Sequence, residues 1–114
     1  MPVSSKSQQK SESSRAIEGS AAALFDIMAS LKDPSEVERF LTDLCTPQEI
    51  RALSERWNVA RLLDAGNLSY REISKETGVS TATIARVARF LAHEPHQGYR
   101  LMLDRLHRRH RTRG

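Results

Sequence analysis

Two groups of residues in the C-terminal half of the sequence have the types and the spacing that contact duplex DNA. The larger group places small side chains at the start of a helical pattern and arginines further along it: Ser80, Thr81, Ala82, Thr83, Ala85, Arg86 and Arg89. Small residues at the start of a helix allow close entry into the major groove, and the arginines beyond them can reach phosphate. Tyr70 and Arg71 stand at the start of a preceding helical pattern, where they can contact the phosphate backbone. The chemistry that this pattern predicts is recognition of double-stranded DNA.

A helix-turn-helix over residues 69–91 would position these side chains. Ser69 and Glu72 form a capping-box sequence, which predicts a helix start at Ser69. Gly78 can adopt a positive φ and turn the chain sharply, and Ser80 can cap a second helix. The apolar residues are spaced so that two short helices would pack against a common core: Ile73, Val79, Ile84 and Val87. The alternative interpretation is an αα-corner of an unrelated helical protein.

Four further helices are predicted around this motif, and no segment alternates with period two. Apolar residues recur at helical spacing over residues 21–31, 34–45, 47–65 and 97–108. Asp33-Pro34 and Thr46-Pro47 are helix-start signals, and Gly66 is a C-cap candidate. The predicted fold class is therefore all-α, with about six helices.

The sequence predicts one folded domain between two polar tails. Its segments are a disordered Ser-rich tail over residues 1–20, a helical DNA-binding domain over residues 21–107 and a basic C-terminal tail over residues 108–114. The net charge of +4 is unevenly distributed: residues 21–68 carry five basic and eight acidic side chains, whereas residues 93–114 carry six and two. A basic C-terminal third behind an acidic helical body is consistent with a polyanionic partner.

Signals for a membrane, secreted, metal-dependent or catalytic protein are absent from the sequence. No apolar run approaches the roughly 18 residues of a membrane span, and the N-terminus has no apolar core of a signal peptide. Cys45, the single cysteine, cannot form an intrachain disulfide, so a cytoplasmic protein is predicted. The histidines stand among positive neighbours, and no catalytic motif occurs. We therefore predict no enzymatic activity, no metal site and no cofactor.

The run from Leu44 to Leu91 resembles the Trp repressor family. The resemblance is carried by TPQEIRALSERW, a short glycine-containing break and SYREISKETGVSTATIARV, and it extends over residues 37–106. Its most specific feature is a Thr-Pro-capped helix placed just ahead of a helix-turn-helix that contains TATI-R. The resemblance is closer to the tryptophan-repressor-like branch of the family, which is known from bacteria. The resemblance implies six helices, an intertwined homodimer and operator binding by a pair of recognition helices.

The apolar stripes are an independent reason to expect a homodimer. Four short helices each present such a stripe, which is more apolar surface than the thin core of so short a monomer readily covers. Trp57 is predicted to lie in the core or in the dimer seam. A compact monomer is the alternative.

The resemblance also implies a candidate effector pocket, formed by Thr46, Arg56, Arg86, Val87 and Phe90. In the family, the arginines that Arg56 and Arg86 match line the pocket of a bound amino acid, which can set the spacing of the recognition helices. Val87 stands where the family has a glycine, and Phe90 where it has a small serine. These larger side chains would fill the space that holds the indole ring. Free tryptophan is therefore predicted not to bind, whereas another, smaller effector is left open.

These observations together predict a sequence-specific DNA-binding transcriptional regulator. The expected mode of action is repression, with a homodimer occupying a palindromic operator. The alternative, from a different class, is a helical protein-interaction module without specific DNA binding. The basic C-terminal third and the helix-turn-helix spacing favour DNA as the partner.

Overall fold

The computed structural model describes residues 12–113, and within them the chain forms six helices and no strands. In chain order the helices are α1 (Glu12–Ala29), α2 (Pro34–Leu44), α3 (Pro47–Ala65), α4 (Tyr70–Thr77), α5 (Thr81–Ala92) and α6 (Gly98–Arg113). The predicted all-α fold is confirmed. None of the described helices is long and apolar enough to cross a lipid bilayer.

Two helix boundaries differ from the prediction. Helix α1 begins at Glu12, so part of the predicted Ser-rich tail is helical, and the rest of that tail lies outside the described residues. Helix α6 continues to Arg113 through the predicted basic tail. At the C-terminal end, arginines with high intrinsic helix propensity extend a helix that an apolar stripe has started.

The described chain divides into two compact units, one that ends at Leu44 and one that starts at Cys45. The predicted single domain over residues 21–107 therefore spans both units. The first unit contains α1 and α2, and α2 begins as predicted: the amide of Glu36 donates to Asp33 Oδ1 at 2.9 Å. No residue of α2 is buried.

The second unit is built on α3, whose two ends are capped as the sequence predicts. The Thr46 hydroxyl accepts from the Glu49 amide at 3.1 Å, and the Glu49 carboxylate accepts from the Thr46 amide at 2.8 Å. At the other end Gly66 adopts a left-handed φ of 75°, and its amide donates to the Leu62 carbonyl oxygen at 3.3 Å. The positive φ favours glycine there because other L-residues adopt it only with strain.

A small apolar core joins α3, α4 and α5. It consists of Val59, Ala60, Ile73, Val79, Ile84 and Val87, with Trp57 and Tyr99 among the half-buried side chains packed against it. The four apolar residues predicted from the helix-turn-helix are all in this core. Val59 is completely buried in this core.

An ionic cluster fastens α6 to the C-terminal end of α3. Asp64 Oδ1 accepts from Arg100 Nη2 at 2.9 Å, and Asp64 Oδ2 lies 2.8 Å from His107 Nε2. The hydrogen bond from His107, followed by that from Arg100, lowers the pKa of Asp64 below its ordinary value. Asp64 is thus held as a carboxylate at neutral pH, and it fixes where α6 lies beside the helix-turn-helix.

Large apolar side chains remain exposed on the helices outside the helix-turn-helix. Among the described residues these are Leu24, Phe25, Ile27, Met28, Leu44, Leu53, Leu101 and Met102, on α1, α2, α3 and α6. On the helix-turn-helix itself, Tyr70 is an exposed large apolar side chain. Each of the two compact units therefore exposes large apolar side chains of its own.

Candidate nucleic-acid interface

The tight turn between α4 and α5 is fixed by local hydrogen bonds and by one glycine. Gly78 has a φ of 76°, and its amide donates to the Ser74 carbonyl oxygen at 2.8 Å. Thr77 spans the turn: its hydroxyl donates to the Ile73 carbonyl oxygen at 2.7 Å and accepts from the Val79 amide at 3.1 Å. With its backbone groups satisfied this way, the turn sets the angle between the two helices.

Helix α4 starts at a complete capping box, as predicted. The Ser69 hydroxyl accepts from the Glu72 amide at 3.1 Å, and the Glu72 carboxylate accepts from the Ser69 amide at 2.8 Å. The hydrogen bond from the Ser69 backbone, with that from its side chain, lowers the pKa of Glu72. Tyr70 and Arg71, the first two residues of the helix, are both exposed. They therefore lie at an accessible helix N-terminus, where anions are favoured.

Helix α5 has one buried face and one exposed face, and the two faces differ in chemistry. Ile84 and Val87 are buried in the core, which fixes the rotation of the helix about its axis. The exposed face presents six of the residues predicted to contact DNA: Ser80, Thr81, Ala82, Ala85, Arg86 and Arg89. Thr83 is half-buried, and its amide donates to the Ser80 hydroxyl that caps the helix, at 3.1 Å. The structure thus brings small side chains to the first turn of an accessible helix and arginines to the turns that follow.

The two arginines of α5 share one aromatic neighbour. The guanidinium carbon of Arg86 lies 4.5 Å from the centroid of the Phe90 ring, and that of Arg89 lies 5.2 Å from it. Arg89 also approaches Glu94, with 3.8 Å between its Nε and a carboxylate oxygen. The arginines are exposed, whereas Phe90 is half-buried.

The residues of the candidate effector pocket lie on α5 and at the start and middle of α3. Thr46 caps α3, and Arg56 lies about 15 Å further along that helix at 1.5 Å per residue. Val87 is 1% exposed and belongs to the core. The Phe90 ring carries the Arg86 guanidinium. Thr46, Val87 and Phe90 therefore each have another structural role within the chain.

An open groove of about 320 Å³ borders Phe90 on the side of the loop that leads to α6. Its other lining residues are His96, Gln97, Gly98 and Tyr99. Neither Arg56 nor Arg86 lines it, so the groove offers no arginine to a ligand carboxylate.

Three features of this region were not predicted from the sequence. They are the double role of the Thr77 hydroxyl in the turn, the Asp64 cluster that fastens α6, and the contacts of Phe90 with two arginines. Two of them had a local signal. Thr77 bonds backbone groups four residues before it and two residues after it, and Arg86 and Phe90 are four residues apart on a helix, where side chains are neighbours.

Comparison with known proteins places this geometry in a family context. The sequence model of the family described as Trp repressor protein matches residues 20–107. YerC of Bacillus subtilis, an uncharacterized protein, is 49% identical over 83 residues, which cover 73% of this chain and 78% of that protein. The Trp operon repressor homolog of Vibrio parahaemolyticus is 40% identical over 63 residues, which cover 55% of this chain and 61% of that protein.

A solved structure shares both sequence and architecture with the chain. The crystal structure of a TrpR-like protein from Eubacterium eligens superposes with a TM-score of 0.72 at 41% sequence identity, covering 77% of this chain and 89% of that one. The family match over residues 20–107 includes the helix-turn-helix formed by α4 and α5. The chain belongs to the Trp repressor family, a family of DNA-binding regulators.

Proposed function

We propose that this protein is a sequence-specific DNA-binding transcriptional regulator of the bacterial cytoplasm, which represses by occupying a palindromic operator as a homodimer. The observation that carries the proposal is the exposed face of α5, where small residues precede Arg86 and Arg89. A helix with this face enters the major groove with its first turn, while the later arginines lie near the phosphates. Thr81 and Ala82 then contact base edges and thymine methyl groups.

The homodimer is supported by the exposed apolar residues on α1, α2, α3 and α6. In one chain the side chains of Leu53 and Leu101 are 45% and 53% exposed, and Phe25 on α1 is 68% exposed. We expect a second copy of the chain to cover these residues, because the two-fold symmetry of a homodimer matches the symmetry of a palindromic site. The dimer places two α5 helices on one face of the DNA.

Phosphate contacts by Arg71 and Arg86 give the first test of the proposal. Arg71→Ala and Arg86→Ala should each weaken binding to a duplex fragment roughly tenfold at low salt, because a charged hydrogen bond is lost. Each should also reduce the magnitude of the slope of log affinity against log salt by about one. With one phosphate contact fewer, binding releases about one counterion fewer. Equilibrium binding at several salt concentrations measures both quantities.

The matched control for these variants is Arg61→Ala, which removes an exposed arginine from α3 outside the proposed interface. It should leave affinity and slope close to those of the unmodified protein. Circular dichroism should show that all three variants are folded. Unchanged affinity and unchanged slope in both Arg71→Ala and Arg86→Ala would contradict the docking of α5 and α4 on DNA.

We also propose that DNA binding does not require free tryptophan. Val87 occupies the core rather than bordering an open slot, and Phe90 lies against Arg86. Both side chains add volume to a space where an indole ring would need room, and a packed interior does not readily yield it. A smaller effector that Arg56 or Arg86 could bind is compatible with this proposal.

Calorimetric titration with L-tryptophan should show no saturable binding tighter than about 1 mM. Affinity for DNA should be the same with and without the amino acid, because the α5 helices are positioned without it. Saturable micromolar binding, or DNA binding that appears only with tryptophan, would show that Val87 and Phe90 leave the pocket open.

A further inference from the structure

The Phe90 ring is the shared contact of the two arginines on the exposed face of α5. The distances from its centroid to the guanidinium carbons of Arg86 and Arg89 are 4.5 Å and 5.2 Å. Both are within the roughly 6 Å over which the negative face of an aromatic ring attracts a cation. One ring therefore contacts both guanidinium groups.

Helix geometry explains the contact between Phe90 and Arg86. Arg86 precedes Phe90 by four residues, so the two side chains are neighbours on the helix surface. Side chains on a helix lean toward its N-terminus, which carries the Phe90 ring back over the turn that bears Arg86. Phe90 is half-buried and borders the groove beside Gly98 and Tyr99, whereas the two arginines are exposed.

Arg86 depends on this contact more than Arg89 does. Arg89 has a second attraction, the Glu94 carboxylate, although the distance of 3.8 Å is long and the two side chains are 58% and 37% exposed. An exposed arginine samples many rotamers, and restricting them is one of the entropic costs of binding. A ring that restricts the guanidinium in the free protein lowers that cost when the protein meets phosphate.

We infer that Phe90 is a positioning residue, which holds Arg86 and Arg89 in the orientation that contacts DNA phosphate. The inference rests on the proposed DNA-binding function and adds a residue that orients the arginines for it. In this role Phe90 does not contact DNA itself and acts only through the two arginines. The same ring that closes the effector slot thus prepares the recognition helix for binding.

The test compares substitutions that keep or remove the aromatic ring. Phe90→Leu and Phe90→Met keep an apolar side chain without a ring, and Phe90→Tyr keeps the ring. With a duplex DNA fragment at low salt, Phe90→Leu and Phe90→Met should weaken binding about three- to tenfold, as expected for a lost cation–π pair. Phe90→Tyr should stay within about twofold of the unmodified protein because the ring is retained. Thermal unfolding should be similar for all three.

A double-variant cycle separates positioning from a general effect on the fold. In a background of Arg86→Ala with Arg89→Ala, adding Phe90→Leu should change affinity by less than about twofold, because the groups on which Phe90 acts are gone. The same loss in both backgrounds, or an equal loss in Phe90→Tyr and Phe90→Leu, would overturn the inference. So would a Phe90→Leu variant that binds like the unmodified protein.

Failure of the inference and failure of the proposed function have different signatures. If the unmodified protein binds no duplex DNA, both the function and the inference fall. If it binds and the arginine variants weaken binding while Phe90→Leu does not, the positioning role alone is overturned and the function stands.

Discussion

Replacing Ala82 by glutamate should weaken DNA binding by about 100-fold while leaving the protein as stable as before or slightly more so. Ala82 is exposed in the first turn of α5, and that turn contains no acidic residue. A carboxylate there would face the major groove, where it would be repelled by phosphates and would block close approach to the base edges. The same carboxylate interacts favourably with the N-terminal end of the helix dipole. Loss of binding and retention of the fold therefore have separate causes.

Ser35→Glu is the matched control for this variant. It introduces the same side chain into the first turn of another helix, α2, where Ser35 is also exposed. Thermal unfolding and equilibrium DNA binding should be measured on both proteins. Ser35→Glu should bind DNA with the affinity of the unmodified protein. An Ala82→Glu variant that binds DNA as tightly as Ser35→Glu would remove α5 from the interface.

Replacing Leu53 by aspartate should convert the protein from a dimer into a monomer at micromolar concentration. Leu53 is 45% exposed in the single chain, so the substitution costs little within one chain. In a dimer that covers this side chain, it would bury two unpaired charges and raise the dissociation constant by at least about 100-fold. Trp57 is less suitable for this test, because it packs against the core of its own chain.

Sedimentation equilibrium gives the oligomeric state of the unmodified protein and of Leu53→Asp. The control is Asn58→Asp, which adds a carboxylate to an exposed polar position of the same helix and should stay dimeric. A folded, monomeric unmodified protein would contradict the homodimer, and with it the expectation of a palindromic site. A dimeric Leu53→Asp would place the seam elsewhere on the chain.

Features that depend on a few neighbouring residues could be predicted from the sequence. The caps at Thr46, Ser69 and Ser80 are where the sequence predicts them, because each consists of one side chain and the amide three residues later. The left-handed turns at Gly66 and Gly78 follow from the absence of a Cβ atom. The exposed face of α5 followed from these caps and from the apolar spacing.

Features that depend on residues distant in the sequence could not be predicted in this way. Asp64 meets Arg100 and His107 across intervals of 36 and 43 residues, and no periodicity indicates such a contact. Val59 is buried because α4 and α5 pack against its side of α3, so its burial is a property of the tertiary structure. The effector pocket was inferred from a resemblance, whereas the orientation of Phe90 towards Arg86 is set by the side-chain geometry of this chain.

Selection of genomic DNA fragments by the unmodified protein, followed by sequencing of the bound fraction, shows directly whether the protein recognises a palindromic site. Selection should be carried out near physiological salt, without tryptophan, and the fragments competed with random-sequence DNA. If a homodimer binds through its two α5 helices, the bound fraction should be enriched in a site with two inverted halves. The centres of these halves should be about one helical turn, or about 10 base pairs, apart. Binding to that site should exceed binding to random DNA by at least about 1,000-fold. A bound fraction with the composition of the input DNA, from a protein shown to be folded, would contradict this prediction and favour a protein-interaction module.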